Sequence, residues 1–592
     1  MQLSSLDWAV IALYFLFNIA IGFYYKARAG SNMDEFFLSG RSVPWWLAGT
    51  SMVATTFAAD TPLAVTGMVA RNGIAGNWLW WCFASGGMLT VFFYARLWRR
   101  SGVMTDIEFS EIRYSGKPAA FLRGFRAFYL GIPINCIILG WVNKAMIDIL
   151  MLILGVTKLQ ALMIVLGLIA LTSSISTLSG LWGVLVTDMF QFVIKMSMVI
   201  VLAVYAVGAV GGMESMKAKL AVLDAGRGGS SVLNFVPDFG SSSTAVWMPL
   251  ITFFVYISIN WWATWYPGAE PGGGGYIAQR MFCAKDEKHS LLATLWFNVA
   301  HYAVRPWPWI LVALASLILF PGLENPETGY IRVMIGYLPP ALRGLMVAAF
   351  AAAYMSTIAT QLNWGASYLV NDFYRRFWRP QATAQHYVNA SRIATVILTL
   401  VSAAVTFYLD SIAAAWKLLL VTGAGTGSVL LLRWYWWRVN AWSEVSAMIA
   451  AFVISLTLQL GLGMNSDDPR GFAWIMIITV SATTVIWLAV TFLTSAEPSQ
   501  ILVSFYRKTQ PAEVGWGPIA ALAPEIRPRN DLVRNAIDWA AGCVLIYGTL
   551  FGTGKLLLGE TALGLELLGA GLAGGAVIYF DLSRRGWGAV TD

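Results

Sequence analysis

The sequence predicts an all-α integral membrane protein of about fifteen transmembrane helices. Three observations predict it. Of 592 residues, 58% are hydrophobic and only 12% are charged, against about 25% charged in an ordinary soluble domain. With a mean hydropathy of +0.65, much of the surface must meet lipid rather than water. Apolar segments of spanning length recur from one end to the other, and lysine and arginine collect in alternate short loops between them.

The segments run at 7–25, 44–70, 75–97, 118–154, 158–177, 180–212, 244–266, 289–320, 340–372, 387–409, 411–434, 441–463, 471–494, 535–556 and 562–582. The first lacks a basic leader and a small-residue cleavage site, so it reads as a retained span rather than a signal peptide. The second carries Pro62 and a centre rich in small and hydroxyl residues, which predicts a broken helix. Segment 118–154 is long enough for one tilted helix, a broken one or two pieces. Residues 158–177 and 180–212 read as two spans, followed by a long loop at 213–243. Pro306 and Pro308 predict a break inside 289–320. Residues 496–532 form the most polar stretch, a loop before two final helices that read as an accessory pair.

The basic loops set the topology. Lys26, Arg28 and Arg41 follow the first span, and Arg99, Arg100, Arg113 and Lys117 follow the third. Arg280, Lys285 and Lys288, then Arg375, Arg376 and Arg379, continue the alternation, which ends at Arg584 and Arg585. This places the N-terminus outside and the C-terminus in the cytoplasm of a cell (inner) membrane. The 213–243 loop departs from the pattern with Lys217, Lys219 and Arg227. The net charge of +8 is thus a matter of topology, not of nucleic acid as a partner. Cys82, Cys136, Cys283 and Cys543 have no metal-binding spacing and read as packing residues.

Several residues carry chemistry. Residues 49–62 join small and hydroxyl side chains to Asp60 and Pro62. A break there frees carbonyls that suit a hard cation such as sodium, and the alternative is a kinked helix packed through its small residues. Ser356, Thr357 and Thr360 cluster in the ninth segment, where they either meet such a cation or bond back to their own helix. Asp188 is a carboxylate inside an apolar segment, costing about 2.5–3.5 kcal/mol on insertion scales, unless it lies at the interface. His301 and Arg305 stand one turn apart and suit a solute carboxylate or hydroxyl, or else Arg305 pairs with an internal acid. The run Pro267–Gly275 lacks the Lys-Ser/Thr ending of a phosphate loop and reads as a flexible cytoplasmic hinge. Trp262 and its neighbours are a gate or an interfacial belt. Three distant histidines and no nucleophile–base pair argue against an enzyme.

Together these stretches resemble the sodium:solute symporter family. The resemblance rests on FFLSGRSVPWWLAGTSMVATT at 36–56, TDIEFSEIRYSG at 105–116, SGLWGVLVTDMFQ at 179–191, YIAQRMFCAKDEK at 276–288 and AAYMSTIATQLNWGASYLVNDFYRR at 352–376. It implies a five-plus-five inverted-repeat (LeuT-like) core working by alternating access. That core would span 44–436, after an extra N-terminal helix and loop at 1–43 and before accessory helices at 437–592. It implies Na+ as the coupling ion and a small organic solute as cargo, with no obligate protein partner. The carbonyls of Ala54, Phe57 and Ala353 and the hydroxyls of Ser356 and Thr357 are the implied sodium ligands. Asp188 and Thr360 match part of a second sodium site, whose other hydroxyl position is Ala359 here. Thr56, Thr61, Trp80, His301 and Leu419 stand at solute-contacting positions where the sugar carriers have Asn, Gln, Glu, Lys and Gln. Asp60, Asn260 and Trp262 complete the implied solute set. The loss of polar contacts argues against galactose-like recognition. Rival readings are a proton-coupled carrier using Asp188 or Asp60, and a membrane sensor that binds solute without moving it.

Overall fold

Backbone in lipid must satisfy its own peptide groups, which favours helices throughout. The computed structural model describes residues 3–29, 39–103, 105–226, 231–237, 249–409, 411–528 and 530–586, and among them there are helices and no strands. Arg227 and Arg529, and the side chains of Lys26 and Arg28, lie outside the described residues.

The chain begins with α1 (Ser5–Ala29) and a bent pair, α2 (Trp45–Thr56) and α3 (Asp60–Asn72). Long helices follow as α4 (Ile74–Ser101), α5 (Gly116–Leu154) and α6 (Lys158–Ala209). Next come α7 (Met213–Gly226), α8 (Leu250–Ala263) and α9 (Gly275–Cys283). The second half contains α10 (Glu287–Leu319), α11 (Gly329–Tyr337), α12 (Leu342–Phe377) and α13 (Ala384–Phe407). Then follow α14 (Ile412–Thr422), α15 (Thr426–Tyr435), α16 (Ala441–Gly461) and α17 (Pro469–Leu493). The chain closes with α18 (Ser499–Thr509), α19 (Leu532–Leu557) and α20 (Thr561–Arg585).

This is a multi-pass membrane protein, but fifteen separate spans do not emerge. Among the described residues ten helices are long and apolar enough to cross a membrane, or eleven with α2 and α3 as one bent span. Segments 158–177 and 180–212 lie within the single element α6. Of segment 244–266, the described residues from 249 onward hold α8, which ends where the backbone turns extended at Thr264. Segment 411–434 divides at Gly423–Gly425, where Gly425 adopts φ 90°. The expected loop at 213–243 opens instead with α7. Segment 118–154 is one continuous span. Pro306 and Pro308 do not cut α10; they begin its second half after a π-helical turn at Val299–Val304. Proline suits a position whose N–H would lack a helical partner in any case.

Burial separates core from rim. The apolar window of α12 is 94% buried, whereas those of α13 and α20 are only 22% buried and turn most of their leucines and valines outward. The N-terminus of α12 is held by Asp7 of α1. Its carboxylate accepts from the backbone of Ala341 (3.1 Å) and Gly344 (2.8 Å) and from Arg343 (2.8 Å). An acid there complements the helix dipole and satisfies orphan N–H groups. Farther along, Glu444 of α16 accepts from Tyr114 (2.6 Å), Arg126 (3.3 Å) and Arg433 (3.2 Å), all buried. Residues 267–275 are not an exposed hinge. They are buried, with the Glu270 carboxylate folded back to accept from Gly268 N at 3.2 Å.

Candidate ion and solute site

The centre of the molecule is built on three places where helices stop. α2 and α3 meet at 58°, with Phe57 at φ −89°, ψ 66° between them. Pro62 lies in the first turn of α3, so it starts the second helix rather than bending one continuous helix. The second stop is Thr264, after α8. The third is the glycine pair between α14 and α15, whose Gly425 N–H donates to Ala263 O at 2.8 Å. Interrupted backbone at membrane depth is tolerated where it is buried in protein or lines a cavity.

A cavity of ≈ 80 Å³ lies beside the first stop, smaller than the roughly 300–1,000 Å³ usual for small-molecule pockets. Its wall includes Thr56, Asp60, Thr61, Trp80, His301 and Arg305, as well as Thr357. Sequence reasoning did not assign Trp141, Tyr266, Tyr276 and Trp416, which complete an aromatic lining, or Gln361, which adds an amide to it. Three expected solute residues are elsewhere. Asn260 is buried and directs its amide nitrogen to Cys82 Sγ at 3.3 Å. The indole of Trp262 donates to Ser258 O of its own helix at 2.7 Å. Leu419 lines a separate apolar crevice with Leu430 and Met448. All three precede the second and third stops, on short helices whose facing side is set by packing against neighbouring helices.

His301 and Arg305 act as a unit. The guanidinium donates to His301 Nε2 (2.9 Å), His301 O (3.1 Å) and Thr56 Oγ1 (3.3 Å). Since Arg has donors only, Nε2 of His301 must accept, which places the imidazole proton on Nδ1. Nδ1 then donates to Thr56 Oγ1 at 2.9 Å, and that hydroxyl passes its own proton to Val53 O at 3.0 Å. Three of the five guanidinium N–H groups are used, leaving one on each terminal nitrogen for the cavity. Asp60 is 3% exposed, and its Oδ1 has no hydrogen-bond partner among the described residues. Gln361 Oε1 is likewise buried without one. Native structures rarely leave such groups unpaired, so this cavity is suited to a polar ligand.

The expected ion ligands gather on the other side of the break. Asp188 of α6 accepts from Ser51 of α2 at 2.6 Å and from Ser356 of α12 at 2.8 Å. At 1% exposure it is buried inside the protein. Thr357 Oγ1 donates both to Ala353 O of its own helix (3.0 Å) and to Thr55 O of α2 (3.2 Å). Thr360 is buried one turn beyond Ser356. Ser51 was not anticipated, although it stands on α2 three residues before Ala54.

The carbonyls of Ala54 and Phe57 are already engaged. The Lys195 ammonium of α6, 2% exposed, donates to Ala54 O at 3.0 Å and Phe57 O at 3.1 Å. A sodium ion on the same two oxygens would sit within about 4 Å of that ammonium, where like charges repel by about 4 kcal/mol at an effective dielectric near 20. These two carbonyls therefore fit the ammonium and do not fit a sodium ion beside it. The signal was present in the sequence: a lysine two helical turns after Asp188 in an apolar segment is a functional candidate by default.

Three comparisons agree with this architecture. A model of the sodium:solute symporter family matches residues 36–451. The sodium/glucose cotransporter of Vibrio parahaemolyticus is 24% identical over 511 residues, covering 81% of this chain and 90% of the relative. The sodium/myo-inositol cotransporter 2 of Sus scrofa is 24% identical over 515 residues, covering 79% and 72%. The solved structure of a Na+-coupled sialic acid symporter in a substrate-bound outward-open state superposes with a TM-score of 0.63. At 18% identity, the match covers 84% of this chain and 99% of that one.

Proposed function

The chain belongs to the sodium:solute symporter family, and we propose that its cargo is a small organic solute bearing a carboxylate, bound at Arg305. Sodium-coupled symport is the activity. The observation that carries the solute class is the Arg305 guanidinium, buried in the cavity wall with one N–H left on each terminal nitrogen. A carboxylate accepts such a pair with matching geometry, and charge assistance roughly doubles the strength of each bond. Asp60, with its unpaired Oδ1, offers an acceptor for a donor group on the same solute. The aromatic lining covers the solute's apolar body.

Neutral His301 does two things. It orients Arg305 by accepting on Nε2, and it ties both residues to the end of α2 through Thr56. Solute bound at Arg305 is thus mechanically connected to the α2–α3 break. Coupling between solute and sodium must be reciprocal, each tightening the other. The broken pair α2–α3 and the interrupted pair α8–α9 support a five-plus-five inverted repeat over 44–436. On that reading α1 and the helices after 436 are accessory, the N-terminus lies outside and the C-terminus is cytoplasmic.

The test is uptake by the reconstituted protein of amino acids, organic acids and sugars under a sodium or a potassium gradient. Sodium-driven uptake of a carboxylate-bearing solute, lost for its amide or ester, is the expected result. Preference for an uncharged sugar would overturn the solute class.

A further inference from the structure

The helix α2 ends at Thr56 inside the protein, so its last carbonyls lack partners further along the helix. Val53 O takes the N–H of Phe57 at 2.9 Å. Ala54 O and Phe57 O take the Lys195 ammonium at 3.0 and 3.1 Å. The same ammonium lies 5.5 Å from the centre of the Phe57 ring, within cation–π range. A helix C-terminus carries partial negative charge and favours a cation, and here the chain supplies one. Its charged surroundings are Asp188 on its own helix α6 and Arg305 on α10. From α1 the Tyr14 phenol faces Asp188. From α2 and α12 the facing groups are carbonyls and the neutral hydroxyls of Ser51, Ser356 and Thr357.

We propose that Lys195 is a tethered cation that takes the place of an ion at the α2–α3 break, so that the sodium carried by this chain is not bound by the Ala54 and Phe57 carbonyls. The inference rests on the reading of the chain as a sodium-coupled symporter and alters where that sodium can sit. Asp188, with Ser51 and Ser356 already directed at its two oxygens, remains outside the ammonium's hydrogen bonds.

The test separates a cation substitute from a simple packing residue. Lys195→Met keeps length and removes the charge. The purified variant is expected to melt below wild type in potassium, and sodium is expected to close about half of that gap or more by filling the vacated carbonyls. Wild type is melted in the same two salts and the gap is read against it, so sodium bound at the chain's own site does not count toward the closure. An equal gap in sodium and potassium would make Lys195 a packing residue and overturn the proposal. If Lys195→Met does not fold, an experimental structure of wild type at high sodium decides the matter. Lys195 still bonded to both carbonyls supports the proposal, and an ion on those oxygens with the lysine withdrawn overturns it. Uptake by wild type under a sodium gradient is read separately, so failure of sodium-coupled symport is not mistaken for failure of the lysine's role.

Discussion

Ser356 on α12 donates to Asp188 on α6 at 2.8 Å, joining residues 168 apart in sequence. The second oxygen of the same carboxylate takes Ser51 of α2 at 2.6 Å. One acid therefore fastens three helices at the point where α2 is about to stop.

Hydrogen bonds to a charged group contribute about 1.5–3 kcal/mol each. Ser51→Ala and Ser356→Ala should each lower the melting temperature, and because they share one carboxylate, the double variant should depart from additivity. Asp188→Asn should lose sodium-dependent uptake, since it replaces the charge while retaining one acceptor. A double-mutant cycle by thermal unfolding checks the first statement, and uptake against sodium concentration checks the second.

Arg305→Gln should weaken binding of the carboxylate solute by about 2 kcal/mol or more, roughly thirtyfold. Arg305→Lys should recover only part of this, because an ammonium cannot reproduce the two-nitrogen fork. Equilibrium binding of labelled solute to both variants is the measurement. Equal affinity for Lys and Arg would argue against bidentate capture.

Glu444→Gln should be among the most destabilising single changes outside the site, by about 3–5 kcal/mol. It removes the carboxylate between Arg126 and Arg433, which are 3% and 2% exposed, and leaves Arg126 with Asp106 at 3.6 Å. Replacing Glu444 and Arg433 together by Met should cost less than Glu444→Gln alone if the penalty is an uncompensated charge. Thermal unfolding in detergent compares them.

Glu111 lies in the short helix Phe109–Arg113 between the α4 and α5 spans. Burial acts to raise its carboxyl, but bonds and charge from Arg376 and Arg123 outweigh that and hold it below the usual range. A depressed folded value means that the stabilisation is complete above the unfolded value of about 4.3 and is lost as pH falls through the folded one. Wild type should therefore lose more melting temperature between about pH 5 and about pH 3 than Glu111→Gln does. At neutral pH the substitution should cost about 1 kcal/mol or less.

Composition determined the medium, and the recurrence of apolar segments of about 20 residues determined the helical class, because a helix satisfies its backbone within the segment. The sequence also marked a break within 49–62, through Pro62 and the run of small residues, and brought forward Asp188 and Ser356, which are hydrogen-bonded, and Thr357, which donates to Thr55 O of α2. It misjudged which way short helices face. Asn260, Trp262 and Leu419 turn away from the cavity on the helices that end before Thr264 and Gly423, whose rotation is set by packing against neighbouring helices. It also missed Ser51 and Lys195. A hydroxyl or an ammonium becomes part of a site only when another helix presents an acceptor to it. The Ala54 and Phe57 carbonyls are backbone atoms present at every residue. Only tertiary structure decides which of them are freed, and only the packing of α6 against α2 decided that a lysine would take them.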